Sequence, residues 1–138
     1  MDSDERFEQL IAYLGSQLPS PVEQFEATDG SLIFIGGSPA EVVVQLDESS
    51  VVVSEYAVER KSAVGDTPKP RRVGVLKWRR LSETPLMSAL SALIKGAREM
   101  RVARYRSCTV CGLKNPPEAL FTDDICQRCV DRPREIVH

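Results

Sequence analysis

Four cysteines are the residues of this sequence whose type and spacing most directly indicate chemistry. They form two pairs, Cys108-x-x-Cys111 and Cys126-x-x-Cys129, which are separated by 14 residues. A two-residue gap lets both thiolates of a pair turn inward on one tight loop, and two such loops complete a tetrahedron around a metal ion. The spacing therefore predicts one zinc ion held by Cys108, Cys111, Cys126 and Cys129.

Four thiolates around one zinc ion leave no position for water or substrate, so the predicted zinc is structural. Gly112 directly follows Cys111, where a metal-binding turn often requires a backbone angle that glycine adopts cheaply. The same cysteines could instead form two disulfides or a redox-active Cys-x-x-Cys pair. An iron ion in a rubredoxin-like site is a further alternative.

The residues around the cysteines resemble a known zinc module. Cys-x-x-Cys-Gly, followed by Lys114, Pro117, Phe121 and the second Cys-x-x-Cys, looks like the zinc-binding part of treble-clef proteins and is similar to zinc motifs of HNH-type and phage recombination endonucleases. The resemblance covers about 23 of 138 residues and implies zinc rather than a reaction. HNH nucleases use histidines as base and metal ligand, whereas the only histidine here is His138, so nuclease activity is not expected.

The type of zinc module stays open between two shapes. A treble clef places its second cysteine pair at the start of a helix, but Pro133 follows Cys129 by only four residues. Residues 131–133 could instead begin a new short helix, which makes a zinc ribbon a close competitor. In either shape a small core is expected over the metal, and a module of this size depends on the metal for folding. That core is predicted to contain Leu113, Leu120, Phe121 and Ile125.

The segments before the cysteines alternate between helical and strand patterns. Residues 3–18 carry one apolar stripe at helical spacing. Residues 31–35, 41–46 and 51–60 are valine-rich and β-branched runs separated by turn residues, which is typical of an antiparallel sheet. Residues 61–70 are predicted to be a mobile loop, and residues 71–80 a strand that pairs with 51–60 and carries a core tryptophan, Trp78.

A long helix is expected to begin at Thr84 and Pro85 and to lead directly into the cysteines. Its predicted buried stripe is Leu86, Leu90, Leu93, Ala97 and Met100. The predicted fold class is α+β: an N-terminal helix, an antiparallel sheet of four or five strands, this long helix and a small C-terminal zinc module with four cysteine ligands. The predicted domains are residues 1–105 and the zinc module at residues 106–138.

Charge is distributed unevenly along the chain. The formal net charge is −2, but residues 1–59 carry −11 and residues 60–106 carry +10. The two halves could neutralise each other within one fold, or meet between chains and form a homodimer. They could also expose a basic face to an anionic partner. The residues predicted for that anion-binding face are Lys69, Arg71, Arg72, Lys95, Arg98, Arg101 and Arg104.

Composition and missing motifs limit the class of function. The acidic N-terminus has no apolar signal-peptide region, and the longest apolar stretch is interrupted by serines, so a cytoplasmic protein outside the membrane is expected. No histidine lies within the body of the chain and no nucleophile motif is present, so an enzyme is not expected. The favoured hypothesis is a non-catalytic interaction module that binds a protein partner. The alternative is nucleic-acid binding through the basic residues of 60–106 together with the zinc module.

Overall fold

The computed structural model describes residues 3–61, 65–122 and 124–131. Three α-helices are present in these ranges: α1 (Ser3–Gln17), α2 (Glu83–Ala103) and α3 (Gln127–Asp131). The strands before α2 are β1 (Val22–Glu26), β2 (Leu32–Gly36), β3 (Val42–Leu46), β4 (Val51–Glu55), β5 (Val58–Lys61), β6 (Gly65–Pro68) and β7 (Arg71–Leu76). The strands after α2 are β8 (Arg106–Ser107), β9 (Lys114–Asn115), β10 (Leu120–Thr122) and β11 (Ile125–Cys126). Single 3₁₀ turns are formed by Trp78–Arg80 and Pro117–Ala119.

The main sheet is an antiparallel meander of five strands in the order β1-β2-β3-β4-β7. Short turns join its first four strands, and Gly37, with φ of +102°, lies in the predicted turn between β2 and β3. The predicted α+β class with an N-terminal helix, an antiparallel sheet, a long helix and a C-terminal cysteine cluster is confirmed. The first strand, β1, was not singled out by its sequence, since most of its side chains are exposed.

The segment predicted as a mobile loop at 61–70 is largely a hairpin. Strands β5 and β6 pair antiparallel, from Val58 opposite Pro68 to Lys61 opposite Gly65, and residues 62–64 at its tip lie outside the described part. The loop prediction was wrong for Gly65–Pro68 because Pro68 is the terminal residue of a two-stranded ribbon. An edge strand tolerates proline, which has no N–H to donate.

Both long helices contribute to a single core on one face of the sheet. Phe34, Val44 and Val53 lie side by side on β2, β3 and β4, since strand alternation sends every second residue to the same face. Trp78 is buried with them, as predicted, and its indole N–H donates to the carbonyl of Asp47 at 2.9 Å. The helices supply the opposing layer: Leu10, Leu14, Leu86, Leu90, Ile94 and Ala97.

The α2 helix differs from its prediction at its start and in its buried stripe. It begins at Glu83, with Ser82 as N-cap. Pro85 is tolerated inside the first turn because the first amides of a helix have no intrahelical acceptor, so the missing N–H of proline costs no hydrogen bond. Its buried residues are Leu86, Leu90, Ile94, Ala97 and Arg101. Met100, predicted to be buried, is 42% exposed. In the described ranges neither this helix nor another combines the length and apolarity needed to cross a membrane.

Candidate metal centre

The four cysteines converge on one point, and their sulfur atoms all lie within 4.8 Å of one another. The sulfurs of Cys108 and Cys129 are 3.6 Å apart, and those of Cys111 and Cys126 are 3.8 Å apart. A tetrahedron with metal–sulfur bonds of about 2.3 Å has edges of about 3.8 Å, so the cluster fits one metal ion. Both separations are far longer than a disulfide of about 2 Å, and the thiols are free.

The first cysteine pair lies in a tight turn between β8 and β9. The N–H of Cys108 donates to the carbonyl of Leu113 at 2.9 Å, and the N–H of Gly112 donates to the carbonyl of Cys108 at 2.8 Å. Gly112 has φ of +76°, in the left-handed region that glycine adopts most readily. The predicted role of this glycine is therefore confirmed by the geometry of the turn.

The second pair lies where a strand passes into a helix. Cys126 ends β11, which pairs with β10, and Cys129 is the third residue of α3. The two cysteine-bearing segments are joined by the N–H of Thr109, which donates to the carbonyl of Asp124 at 2.8 Å. This hydrogen bond holds the turn of the first cysteine pair against the β10–β11 hairpin, so both cysteine pairs face the same point. Of the short helix predicted to begin at residues 131–133, the structure describes only Asp131, which is the last residue of α3, and the rest lies outside the described residues.

Backbone amides stabilise negative charge on the sulfur of Cys108. The N–H groups of Val110, Cys111 and Cys126 donate to this sulfur over 3.3, 3.5 and 3.4 Å. The donors at Cys111 and then Cys126 lower the pKa of the Cys108 thiol to about 6. Burial, together with the neighbouring sulfurs, raises the pKa of Cys129 to about 12. The cluster thus already contains one site that favours a thiolate, the form that binds metal.

The small core around the cysteines contains only part of the predicted set. Leu120 is buried against the cysteines and Ile125 is partly buried there. Leu113 and Phe121, predicted to be buried, are 53% and 57% exposed. Phe121 follows Leu120 on β10, and neighbouring residues of a strand face opposite sides, so only one of them can reach the cysteines. Val110, in the first turn, is 62% exposed as well.

Most of the residues predicted for the anion-binding face make ion pairs. Four pairs join the acidic half of the sequence to the basic half, which is the internal neutralisation that the charge pattern offered as one interpretation. These pairs are Lys69–Glu59 at 3.4 Å, Arg71–Glu55 at 3.5 Å, Arg98–Glu41 at 3.5 Å and Arg104–Glu55 at 2.6 Å. Within the described ranges Arg72 and Lys95 make no ion pair. Binding of an anion to this set stays a prediction.

Arg101 is the most deeply buried of the seven, with 1% of its surface exposed. Its two terminal nitrogens bond the carboxylate of Glu118, and its Nε–H donates to the carbonyl of Ala40 at 2.9 Å. Its guanidinium carbon lies 5.2 Å from the ring centroids of both Tyr56 and Tyr105. Burial alone lowers the pKa of Arg101, but the hydrogen bonds and charge of Glu118 outweigh burial and raise it.

Glu118 is a residue whose role the sequence did not indicate. It lies between the two cysteine pairs, and its bidentate contact with Arg101 ties the cysteine-rich segment to the end of α2. The two residues are 17 positions apart in different elements, so no helical or strand spacing relates them. The pattern could have found only Arg101, because it falls on the apolar stripe of α2 four residues after Ala97.

No protein-family model, curated protein or solved structure matches this chain. The fold and the site by themselves define an α+β protein whose C-terminal segment contains a four-cysteine candidate metal centre.

Proposed function

We propose that the cysteine centre is a structural zinc site of the treble-clef type. Zinc is favoured because four thiolates in tetrahedral arrangement are its preferred ligands in closed sites. The treble clef is supported by the order of elements: a cysteine-bearing turn between β8 and β9, the β10–β11 hairpin, and a helix that contains Cys129. A zinc ribbon would instead place the second pair in another turn between strands.

The function that we propose for this zinc module is docking of a protein partner, without catalysis. The observation that carries this proposal is a set of exposed apolar side chains on the module: Val110, Leu113 and Phe121. A segment this small has few apolar residues, and keeping three of them in water has a cost that contact with a partner would remove. Aromatic side chains at the centre of interfaces commonly dominate binding.

Absence of catalysis is proposed from the chemistry of the available groups. All four thiols of the chain belong to the metal cluster, so none remains as a nucleophile. A closed site also offers the metal no open position for a substrate. The only histidine, His138, lies outside the described residues.

The metal is tested by native mass spectrometry of the purified protein before and after chelation. We expect one zinc ion per chain, and its loss in the double variant Cys108→Ser/Cys126→Ser. The double variant Glu23→Ser/Gln24→Ser, on β1, is the control and should keep the metal. A chain that binds no metal, or binds iron when expressed with both metals supplied, would contradict the proposed site.

Partner docking is tested by cross-linking in a lysate of the source organism, with zinc-loaded protein as bait. We expect a specific partner to be retained by the wild type and lost by Leu113→Ser/Phe121→Ser. Phe25→Ser, which changes an apolar residue on β1 that is 48% exposed, serves as the control and should keep the partner. A partner captured equally by all three proteins would show that the exposed residues of the zinc module are not the docking surface.

Nucleic-acid binding is the second candidate, favoured by the charges of Arg72 and Lys95 that have no ion pair in the described ranges. The four pairs between the acidic and basic halves leave less positive charge available than the sequence suggests. Fluorescence anisotropy with single- and double-stranded oligonucleotides at low salt separates the two candidates. Binding that weakens steeply with added salt would favour nucleic acid over the docking proposal.

A further inference from the structure

A cleft of about 290 Å³ lies where the end of α2 meets the cysteine-rich segment. Four arginines line it, and we call it the arginine cleft: Arg71, Arg101, Arg104 and Arg106. Cations near a helix C-terminus are ordinarily explained by the helix dipole, which accounts for Arg101 and Arg104. Arg71 comes from β7 and pairs with Glu55, whereas Arg106 comes from β8, so the helix dipole does not account for these two arginines.

The arginine cleft has more positive than negative charge. Its acidic neighbours are Glu118, which lines the cleft, and Glu55, which pairs with Arg71 and Arg104. Four guanidinium groups against two carboxylates leave a net charge of +2. An anion with two charges would neutralise the cluster.

Donors for such an anion remain after the internal contacts are satisfied. Each guanidinium has five N–H bonds in a planar fork. Arg104 uses its Nε–H on Glu55, and the Arg106 side chain makes no ion pair or hydrogen bond within the described ranges. These two side chains therefore offer terminal N–H groups to a ligand, while Arg101 is already fixed by Glu118 and two tyrosine rings.

The rest of the wall is apolar and formed by small side chains. Ala57 and Val58 line one part, and Ala103 and Pro117 another. A cleft with charged donors and an apolar wall suits a ligand that joins an anionic group to an organic body. We propose that the arginine cleft binds the phosphate group of a phosphate monoester, with Arg104 and Arg106 as the residues that contact it.

A phosphate monoester fits better than other anions for two reasons. It has a charge of nearly −2 at neutral pH and three acceptor oxygens, which match the charge and donor surplus of the cleft. Arginine forks bind phosphate through paired N–H···O bonds, whereas a carboxylate offers two oxygens and one charge. The cleft volume holds one such group rather than a run of nucleic-acid backbone.

This site is separate from the exposed apolar side chains of the zinc module and does not depend on their role. Its test is titration of the zinc-loaded, ¹⁵N-labelled protein with phenyl phosphate at low salt, followed by amide NMR. Sodium phosphate is the second probe, and sodium chloride at equal ionic strength is the blank. We expect saturable shifts at the amides of Ala57, Val58, Ala103 and Arg106, with phenyl phosphate binding at least as tightly as phosphate.

Variants assign the binding to the cleft. Arg106→Ala should lower the affinity for phenyl phosphate about tenfold or more, because it removes charge-assisted hydrogen bonds. Arg106→Glu should abolish binding. Both are expected to fold, since the Arg106 side chain has no partner within the described residues. Arg80→Glu, an exposed arginine of the 3₁₀ turn after β7, is the charge-matched control and should bind as the wild type does.

Three outcomes would overturn the proposal. One is the absence of saturable shifts at tens of millimolar probe, and another is an equal loss of binding in Arg80→Glu and Arg106→Glu. The third is binding of inorganic phosphate without phenyl phosphate, which would exclude a monoester. None of these results depends on whether a protein partner docks on Leu113 and Phe121, so the two proposals fail separately.

Discussion

Cys108 and Cys129 lie in one cluster, but their thiol pKa values are shifted in opposite directions. Amide donors lower the pKa of Cys108 to about 6, whereas burial raises that of Cys129 to about 12. A metal ion bound to thiolates must displace the protons that remain, so binding is linked to pH. At neutral pH Cys108 already favours the thiolate, whereas Cys129 would have to give up its proton to a bound metal.

Zinc binding at pH 7.5 should therefore release at least one proton and fewer than four per ion. Isothermal titration calorimetry in two buffers of different ionisation enthalpy measures this number. Affinity should fall as the pH is lowered through about 6, because Cys108 then gains a proton that competes with zinc. Release of four protons, or an affinity that is constant between pH 5.5 and 7.5, would contradict the difference between the two thiols.

Asp47, in the turn between β3 and β4, is a second residue whose pKa is lowered by backbone N–H donors. Its Oδ1 accepts hydrogen bonds from the N–H groups of Ser49 and Ser50, both at 2.8 Å. These hydrogen bonds, of which the one from Ser49 has the largest effect, lower the pKa of Asp47 below the ordinary aspartate value of 3.8. A carboxyl whose pKa is lower in the folded than in the unfolded state stabilises the fold above the unfolded value. That stabilisation is lost as the pH falls through the folded value.

Asp47→Ala should lower the free energy of unfolding by about 1 kcal/mol at pH 7 and by less at pH 3. Urea unfolding at the two pH values measures the difference. Glu48→Ala, the exposed neighbour in the same turn, is the control and should change stability little at either pH. A cost for Asp47→Ala that is the same at pH 3 would mean that the carboxylate is not the stabilising group.

At the scale of elements, close approaches of the backbone determine where side chains are tolerated. Gly36, at the end of β2, lies so near the chain after α1 that a Cβ there would be 2.9 Å from the carbonyl oxygen of Pro19. Gly96 lies inside α2, and a Cβ there would meet nothing within 4 Å. Packing therefore requires a glycine at position 36, whereas position 96 has room for a larger side chain.

Opposite effects on stability are expected when each glycine is replaced by alanine. Gly36→Ala should destabilise the fold by about 1–3 kcal/mol, because a backbone carbonyl must move. Gly96→Ala should stabilise it by about 0.5–1 kcal/mol, since glycine is a weak helix former. Thermal and urea unfolding of both variants provide the test. Equal effects of the two changes would show that the approach of Pro19 to β2 is not a real constraint.

At the scale of the whole molecule, Arg101 and Glu118 join the cysteine-rich segment to the α+β body. Arg101 is buried on its own helix and held by Ala40 and two tyrosines, whereas the Glu118 side chain is 20% exposed. A buried ion pair adds little net stability, but removing one partner leaves the other charge without compensation. The two partners are therefore not equivalent in mutation.

Removing one partner of a buried ion pair typically costs about 3–5 kcal/mol of stability. We expect Glu118→Ala to be more destabilising than Arg101→Met by roughly 1–2 kcal/mol. In Glu118→Ala the charge left behind is the buried one, whereas in Arg101→Met the remaining carboxylate reaches water. Urea unfolding of the zinc-loaded variants measures the order. The reverse order would mean that Arg101 contributes mainly through the packing of its side chain.

Chelation of zinc should lower the melting temperature of the wild-type body by several degrees, because it frees Glu118 from Arg101. In Glu118→Ala that contact is already absent, so the chelator should then affect the body little. Amide NMR of residues 3–61 with and without metal follows the body separately from the cysteines. An unchanged wild-type body after chelation would show that the predicted zinc module at residues 106–138 is energetically independent.

The sequence by itself determined the features that depend on local spacing. Two Cys-x-x-Cys pairs indicated a metal site, period-two valine runs indicated the antiparallel sheet, and the apolar stripe of residues 3–18 indicated α1. These patterns are informative because each records a repeat of the local backbone geometry. Gly112 was recognisable for the same reason, since a single turn sets its backbone angle.

Only the tertiary structure decided which charged and apolar residues meet. Arg101 replaced Met100 in the buried stripe because Glu118, Tyr56 and Tyr105 surround its charge, and Glu118 and Tyr56 lie far from α2 in the sequence. Phe121 was left exposed because Leu120 already faces the cysteines. Such contacts depend on how elements pack in space, and the spacing of residues within one element carries no record of them.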